Sequence, residues 1–429
     1  MSDSATLAQR YALVGRPRLT PFGVIDIGNS KVGCVIARKR IDGGFDLIGD
    51  AWRYADGLHK GVVVDAVATA SAISAALEEA ERHAGMRLAE VDVVTSCGAP
   101  RVEISEAEAE LHGRQVRDHD VHMLLGNARA KARRVDRALL HTLPLEVWVD
   151  GERHVREPRG MLAHRLGLRA ATVWADAETI RHLIACVGSS HLRVRQVVSA
   201  AYASAIACVT GEECENGVIA LDLGAGCTGV TLWHQGRLRA LASVPVGGRH
   251  ITGDLCHALE IDRATAERIK VLYGSAFQRA CDQGIRVRVA LDDGQGDNVQ
   301  TELSRSALAG YIRPRVEEVM TMAKARLDAD GLLAGTSARW GIVLTGGGSQ
   351  LDGIDAIAHE IFDLPVRFGV PGGLRGSGGD LVESPAFAST AGLLALTAGG
   401  DGGLGYRTRG GGDGAHPLFR MRRWLKESF

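Results

Sequence analysis

Short runs of Val, Ile and Leu punctuate this chain, and three of them break into glycine at their carboxyl ends. They are residues 23–31 (GVIDIGNSK), 218–227 (VIALDLGAGC) and 341–349 (GIVLTGGGS). A short apolar run closed by glycine reads as a buried strand and its turn. Glycine lets the backbone come close to a ligand, and the free N–H groups of such a turn hold anionic oxygens. The first two runs also carry a carboxylate, Asp26 and Asp222, at matching positions just before the glycine. Duplicated Asp-x-Gly turns predict two related half-domains facing one phosphate chain, each presenting an acid to a hydrated magnesium ion.

The spacing of apolar residues predicts the remaining elements. Residues 22–36 form a strand, the Asp26 turn and a second strand, with a third strand at 45–51. Helical spacing runs over 62–83, with Val67, Ala70, Ile73, Leu77 and Ala80 on the apolar face, and a strand follows at 91–96. From about residue 90 to 169 the texture changes. Short strands at 145–149 and 168–174 flank a charged helical stretch at 121–137, without a glycine turn, which marks an inserted subdomain.

A helix at 180–187 and a strand at 194–198 lead to a small-residue helix at 199–209. Residues 218–232 repeat the opening pattern as a hairpin. Helices at 251–259 and 263–273 precede a polar, strand-rich excursion at 285–303 that turns at Asp292-Asp293-Gly294. A long helix at 307–327 is interrupted early by Pro314. After the third glycine turn come a helix at 354–361, a strand at 366–368 and a second small-residue helix at 389–395. The two small-residue helices can pack closely, as connectors between half-domains would.

Composition narrows the class. At 429 residues the chain exceeds one ordinary core, so two or more domains are expected. With 45% hydrophobic and 24% charged residues it reads as globular, and a net charge of −1 offers no basic field for nucleic acid. Eight cysteines, at 34, 97, 186, 208, 214, 227, 256 and 281, show no metal spacing and suit a reducing compartment. His112, His119 and His122 read as solvated, and Lys131 to Arg134 as a solvated helix face. There is no long apolar span, and residues 1–20 contain Arg10, Arg16 and Arg18 but no apolar signal region, so they read as a disordered or loosely docked arm of a cytosolic protein.

The order of turns resembles the actin, Hsp70 and sugar-kinase superfamily, which implies an actin-like (ribonuclease H-like) two-domain α/β ATPase fold. Within it the chain is similar to FtsA, the bacterial cell-division actin homologue, over about residues 20–429. Residues 341–351 with 366–369 look like that family's adenosine segment, and 266–274 (AERIKVLYG) like its nucleotide-contacting helix. The insertion falls where FtsA carries its own subdomain, called 1C, and a glycine-rich tether ends in a basic amphipathic helix. The resemblance implies an arm at 1–20 and a subdomain 1A of 21–87 with 171–200 and 384–398. It implies 1C at 88–170, 2A at 201–246 with 334–383, and 2B at 247–333. A linker at 399–416 and a membrane-targeting helix at 417–429 complete the chain.

By the same resemblance, ATP with Mg2+ is held by Asp26, Gly28, Asn29, Ser30 and Lys31 of the first turn and by Asp222, Gly224, Ala225, Gly226 and Cys227 of the second. Glu267 and Lys270 reach ribose and base, Gly346, Gly347, Gly348 and Ser349 pass under the purine, and Asp26 and Asp222 hold the metal through water. The second turn departs from the superfamily pattern Asp-x-Gly-Gly-Gly-Thr-x-Asp: Cys227 replaces a hydroxyl and Gly229 a carboxylate. Since those groups position metal or water, binding with weak hydrolysis is expected. Thr228 as a substitute hydroxyl is the alternative.

The expected role is a self-assembling adaptor that ties the FtsZ ring to the cytoplasmic face of the inner membrane at the division septum. Arg305 sits in a position matching the family's tail-binding helix, exposed to the FtsZ C-terminal tail, and 1C would contact later division proteins. On a terminal helix Leu418, Met421, Trp424, Leu425 and Phe429 share one side, bordered by Arg420, Arg422, Arg423 and Lys426. A small apolar face ringed by cations suits anionic membrane lipid; docking on the protein's own body or a partner is the alternative. A small-molecule kinase with Asp222 as base, or a pilus-assembly actin homologue, are the competing functions.

Overall fold

The structure, a computed structural model, describes residues 20–397 apart from 41–44, 153–154, 156–157, 278–285, 293–297, 330–332, 334–339, 372–373 and 377–383. The expectations for residues 1–19, for the turn after Asp292, for the 399–416 linker and for the 417–429 helix fall outside the described residues.

Each Asp-x-Gly turn joins the two strands of a hairpin at the centre of its own sheet. In the first sheet, strand Phe22–Ile27 pairs antiparallel with Lys31–Lys39 and parallel with Glu90–Thr95. Arg193–Ser199, Phe45–Tyr54 and Leu374–Gly376 complete its six strands. In the second, Val218–Leu223 pairs antiparallel with Thr228–His234 and parallel with Gly341–Thr345, flanked by Arg237–Val244 and Val366–Phe368. The registers coincide: Asp26 lies opposite Gly33 as Asp222 lies opposite Gly229. Phe22–Ile27 is buried at every position, which is why it reads as an unbroken apolar run rather than an alternating one.

The two small-residue helices, Ala200–Cys208 and Ala388–Thr397, cross between the sheets and are buried along their lengths. A Cβ on Gly392 would fall 1.8 Å from the carbonyl oxygen of Ala203, so only glycine allows this crossing. The end of the second helix is tied to the first sheet. The Thr397 hydroxyl donates to buried Asp92, which also accepts from Arg195 Nε at 2.7 Å and Gln196 Nε2 at 2.8 Å.

The inserted segment is a three-stranded antiparallel sheet of Arg101–Gln115, Leu162–Asp176 and Arg137–Val149, covered by helix Asp118–Ala132. Val121, Leu124 and Leu125 of the helix pack with Leu111, Leu166 and Leu168 of the sheet. The two expected short strands are thus long ones, the helix begins and ends earlier than expected, and a fifteen-residue strand was not anticipated.

Two further expectations are corrected. Helix Ala66–Ala84 starts at the cap Asp65, whose side chain accepts from Ala68 N–H, and Val67 in its first turn is 77% exposed rather than on the buried face. Residues 62–63 belong instead to a short hairpin with Leu58–His59. Helix Arg305–Asp328 runs without a break through Pro314. Its buried stripe of Leu308, Ile312, Val316, Val319, Met320 and Ala323 packs into the second core, and this burial offsets the hydrogen bond that proline cannot make.

Candidate functional site

The matched hairpins bring their two acids to opposite walls of a cleft of 1180 Å3 between the sheets. Connector-helix hydroxyls hold each acid, two on Asp26 and one on Asp222. Ser389 and Thr390 donate to Oδ2 of Asp26 at 2.7 and 2.8 Å, and Ser204 donates to Oδ2 of Asp222 at 2.7 Å. These donors keep both carboxylates as acceptors facing the space between them. Burial pushes the Asp222 carboxyl up to about 6; the Ser204 hydrogen bond opposes this, the charge of Asp26 adds to it and Lys31 opposes it.

Within each turn the same bond closes the loop: Gly28 N–H donates to Lys31 O at 3.0 Å, and Gly224 N–H to Cys227 O at 3.1 Å. Lys31 lies across the floor, donating to Ala386 O at 3.0 Å, with its ammonium 3.8 Å from the Phe387 ring centre and 4.7 Å from that of Trp52. Burial lowers its pKa, while Asp26 and Asp222 support the cation.

Gly346 closes the far wall. Its φ of +82° is in the left-handed region, and a Cβ there would lie 2.4 Å from Asp222 Oδ1. Gly347 is exposed to the cleft, with room over its Cα. Opposite, Lys270 Nζ donates to Glu267 at 2.7 Å, Thr252 Oγ1 at 3.0 Å and Gly248 O at 3.2 Å. Burial opposes ionisation of Glu267, but Lys270 and the Thr252 hydroxyl hold its carboxyl below the usual range.

A cross-cleft tie completes the site. Gly248 and Arg249 donate their N–H groups to Gly224 O and Ala225 O at 3.0 and 2.8 Å. The Arg249 guanidinium reaches into the first half, donating to Ala55 O at 2.9 Å, Leu58 O at 3.2 Å and Asp56 Oδ1 at 3.2 Å. One residue therefore fastens the second phosphate turn to the opposite domain.

The cell-division family models match two stretches of this chain: "Cell division protein FtsA" at residues 219–392 and "SHS2 domain inserted in FTSA" at 98–174. Cell division protein FtsA of Rhizobium meliloti is 33% identical over 97% of this chain and 98% of its own length. The chain belongs to the FtsA family. Its fold is the actin-like one. The PilM-PilN type IV pilus biogenesis complex contains a chain alike at a TM-score of 0.61, with 17% identity over 89% of this chain and 99% of that one. MreB 5 of Spiroplasma citri bound to AMPPNP is alike at 0.54, with 15% identity over 88% and 96%. At those identities the likeness is one of fold, whereas the FtsA relationship extends through the sequence and makes this a cell-division actin-like protein.

Most residues that the FtsA resemblance singled out for nucleotide line the cleft: Asp26, Gly28 to Lys31, Asp222, Gly224, Ala225, Cys227, Glu267, Lys270 and Gly346 to Gly348. Gly226 and Ser349 do not. Gly226 abuts the buried Asn29 amide, where a Cβ would sit 2.4 Å from Asn29 Cγ, and the Ser349 hydroxyl turns inward to Gly346 O at 2.7 Å. Asn29 lines the cleft but accepts from Gly61 N–H at 3.0 Å. Thr228 does not replace the lost hydroxyl, because it is buried and donates to Val246 O at 2.8 Å.

Arg305 is not the exposed residue that was expected. It is half-buried, pairs with Asp352 at 2.6 Å, donates to Tyr273 O at 3.2 Å and lines the cleft. Sequence reasoning missed Ser204, Ser389, Thr390 and Arg249. The available signals were a serine or threonine within each small-residue helix and the Gly247-Gly248-Arg249 run after a strand.

Proposed function

We propose that this FtsA-family chain binds ATP with Mg2+ in the interdomain cleft, hydrolyses it slowly, self-assembles, and links the FtsZ ring to the cytoplasmic face of the inner membrane at the division septum. The observation that carries the nucleotide reading is the pair of hydroxyl-gripped carboxylates, Asp26 and Asp222, facing each other in matched glycine turns. Two hard oxygen ligands suit Mg2+, which keeps several waters and shares phosphate oxygens. Among the described residues no three His, Cys, Asp or Glu side chains converge on one point, so the ion would be held jointly with phosphate and water. The fold neighbour solved with AMPPNP supports the same ligand class.

Slow turnover follows from the second turn. Burial pushes the Cys227 thiol up to about 11, so at neutral pH it is a protonated, poor substitute for a hydroxyl. A carboxylate at position 229 is excluded by packing, since a Cβ there would meet Ala201 Cβ at 2.6 Å.

The test is Mg2+-dependent binding of fluorescent ATP across pH, with ADP release followed in parallel. A raised carboxyl contributes stability that is present in full below its ordinary 3.8 and lost as pH rises through about 6. The ligand-free protein therefore gains at most about 3 kcal/mol from this group at low pH. Metal-assisted binding runs the other way and weakens as Asp222 protonates near pH 6. Asp222→Asn is expected to weaken binding at pH 7.5 and to erase both trends. ATP binding that ignores magnesium, or turnover at ordinary kinase rates of about 1 per second or more, contradicts the proposal.

The FtsZ C-terminal tail is proposed to dock on the second small subdomain with Arg305 at the edge of its site. Arg305→Glu is expected to weaken an acidic tail peptide, with the loss shrinking as salt is raised. Asp352→Asn releases the arginine without removing its charge and is expected to preserve peptide binding. An unchanged Kd in Arg305→Glu means that the residue serves only its Asp352 pair. The inserted subdomain is proposed to meet later division proteins and neighbouring copies, and the 417–429 helix to lie on anionic lipid.

A further inference from the structure

A segment of the first half, residues 55–61, bridges the two phosphate turns. Ala55 N–H donates to Ser30 O at 3.0 Å, and Gly61 N–H donates to Asn29 Oδ1 at 3.0 Å, both in the first turn. On its other side, a Cβ built on Gly61 would lie 3.3 Å from Cys227 Sγ in the second turn. The segment therefore touches both.

Arg249, the second residue of helix Gly248–Leu259 in the opposite half, straps this segment down. Its terminal nitrogens donate to Ala55 O at 2.9 Å, Leu58 O at 3.2 Å and Asp56 Oδ1 at 3.2 Å, and Nη2 lies 3.5 Å from the Tyr54 hydroxyl. Among the described residues, every hydrogen bond of this guanidinium crosses to the first half. An arginine needed only to fold its own helix would find partners there. Three bonds thus run in series from one turn to the other. They are Ala55 N–H to Ser30 O, the Arg249 guanidinium to Ala55 O, and Arg249 N–H to Ala225 O. The Asp56 carboxylate is 69% exposed, and an ion pair in that setting contributes little. The Arg249 side chain is only 12% exposed, so its charge-assisted bonds to the two main-chain carbonyls carry the strap.

We propose that Arg249 is a positioning residue that sets how fast nucleotide enters and leaves the cleft. The inference rests on the nucleotide reading above and concerns its rates alone. None of the strap's bonds uses a ligand atom, so the strap forms alike with or without a ligand. Opening must then break it for entry as for exit. Such a device slows association and dissociation by one factor. It leaves the dissociation constant unchanged, because it does not distinguish the free from the bound protein.

Stopped-flow measurement of fluorescent ATP with magnesium tests this on the full chain and three variants. Arg249→Met keeps the aliphatic stem and loses the donors. Both of its rate constants are expected to rise about tenfold, as loss of one net charge-assisted bond gives, with Kd within about twofold of the parent. Arg249→Lys reaches one carbonyl rather than two and is expected to fall between them. Asp56→Asn is expected to stay near the parent. Hydrogen exchange without nucleotide is the second readout, and the Ala55 amide is expected to exchange about tenfold faster in Arg249→Met. Parent rates in Arg249→Met, a weakened Kd with unchanged association, or an Ala55 amide that exchanges as in the parent each overturns the proposal. An Asp56→Asn effect as large as that of Arg249→Met does the same, since the exposed pair would then carry the strap. Should Arg249→Met not fold, Arg249→Lys decides, and parent rates in it overturn the proposal. A parent chain that retains no fluorescent ATP overturns the nucleotide reading and this inference with it. A parent that binds ATP, beside an Arg249→Met that releases it at the parent's rate, overturns this inference alone.

Discussion

Gly347→Asp is expected to abolish nucleotide binding while the protein stays folded. Gly347 is exposed to the cleft, and the nearest atom to a Cβ built there is Ala386 Cβ at 3.8 Å, so the backbone accepts a side chain without strain. A carboxylate at that point enters the space under the proposed purine and must be desolvated by any ligand that binds. Burying an unpaired charge costs several kcal/mol, so a loss of at least about a hundredfold in affinity is expected. Gly346→Ala is the contrasting neighbour. It forces a Cβ into Asp222 Oδ1 and the Leu223 backbone at a φ of +82° and is expected to lower both affinity and melting temperature. Fluorescent ATP titration with a thermal melt on each variant separates the two. Full ATP affinity in Gly347→Asp would show that the purine does not pass this turn.

The contrast between these adjacent glycines also shows what can be read from residues in order. The three turns, the connectors and the strands that carry Asp26 and Asp222 were legible because buried strands and glycine turns leave local marks in sequence. The partners of the acids were not, because residue 26 meets residues 389 and 390 only after the chain has crossed itself. Strand Arg101–Gln115 was hidden for another reason. Its Glu and Ala residues are good helix formers, and it is stabilised as a strand by pairs across the sheet, Glu106 with Arg169 and Glu110 with Arg165 at directly opposed positions. Val67 follows the helical spacing but falls in a first turn that has no neighbour above it. Arg305 opens helix Arg305–Asp328, two residues before the expected start at 307, and the direction of its side chain is set by Asp352, 47 residues away.

Trp424→Glu is expected to detach the protein from anionic membranes. On the helix proposed for 417–429, Trp424 would sit near the middle of the apolar face formed with Leu418, Met421, Leu425 and Phe429, and in a bilayer its indole would lie at headgroup level. Exchange for a carboxylate forfeits apolar burial of ~2 kcal/mol, roughly a thirtyfold loss, and adds repulsion from acidic lipid. The cations Arg420, Arg422, Arg423 and Lys426 each add about 1 kcal/mol near an anionic surface, so binding is also expected to weaken on neutral vesicles. ATP binding is expected to be unaffected, because residues 399–414, nine of the sixteen glycine, have the composition of a flexible tether between the proposed helix and the cleft. The measurement is co-sedimentation with liposomes of defined charge. If Trp424→Glu pellets fully with anionic vesicles, the tail docks on protein instead.

The bond between Thr397 and Asp92 determines where tension would enter the molecule. A pull along the segment that follows Thr397 reaches the domain at a helix end held by a buried carboxylate, itself gripped by Arg195 and Gln196 on the neighbouring strand. The load is then carried in shear along a helix buried between two sheets, which resists far better than an edge that can be peeled open one contact at a time. That same helix carries Ser389 and Thr390 at its other end, beneath Asp26. In the proposed tethered assembly, strain would thus be loaded along the very rod that sets one wall of the cleft.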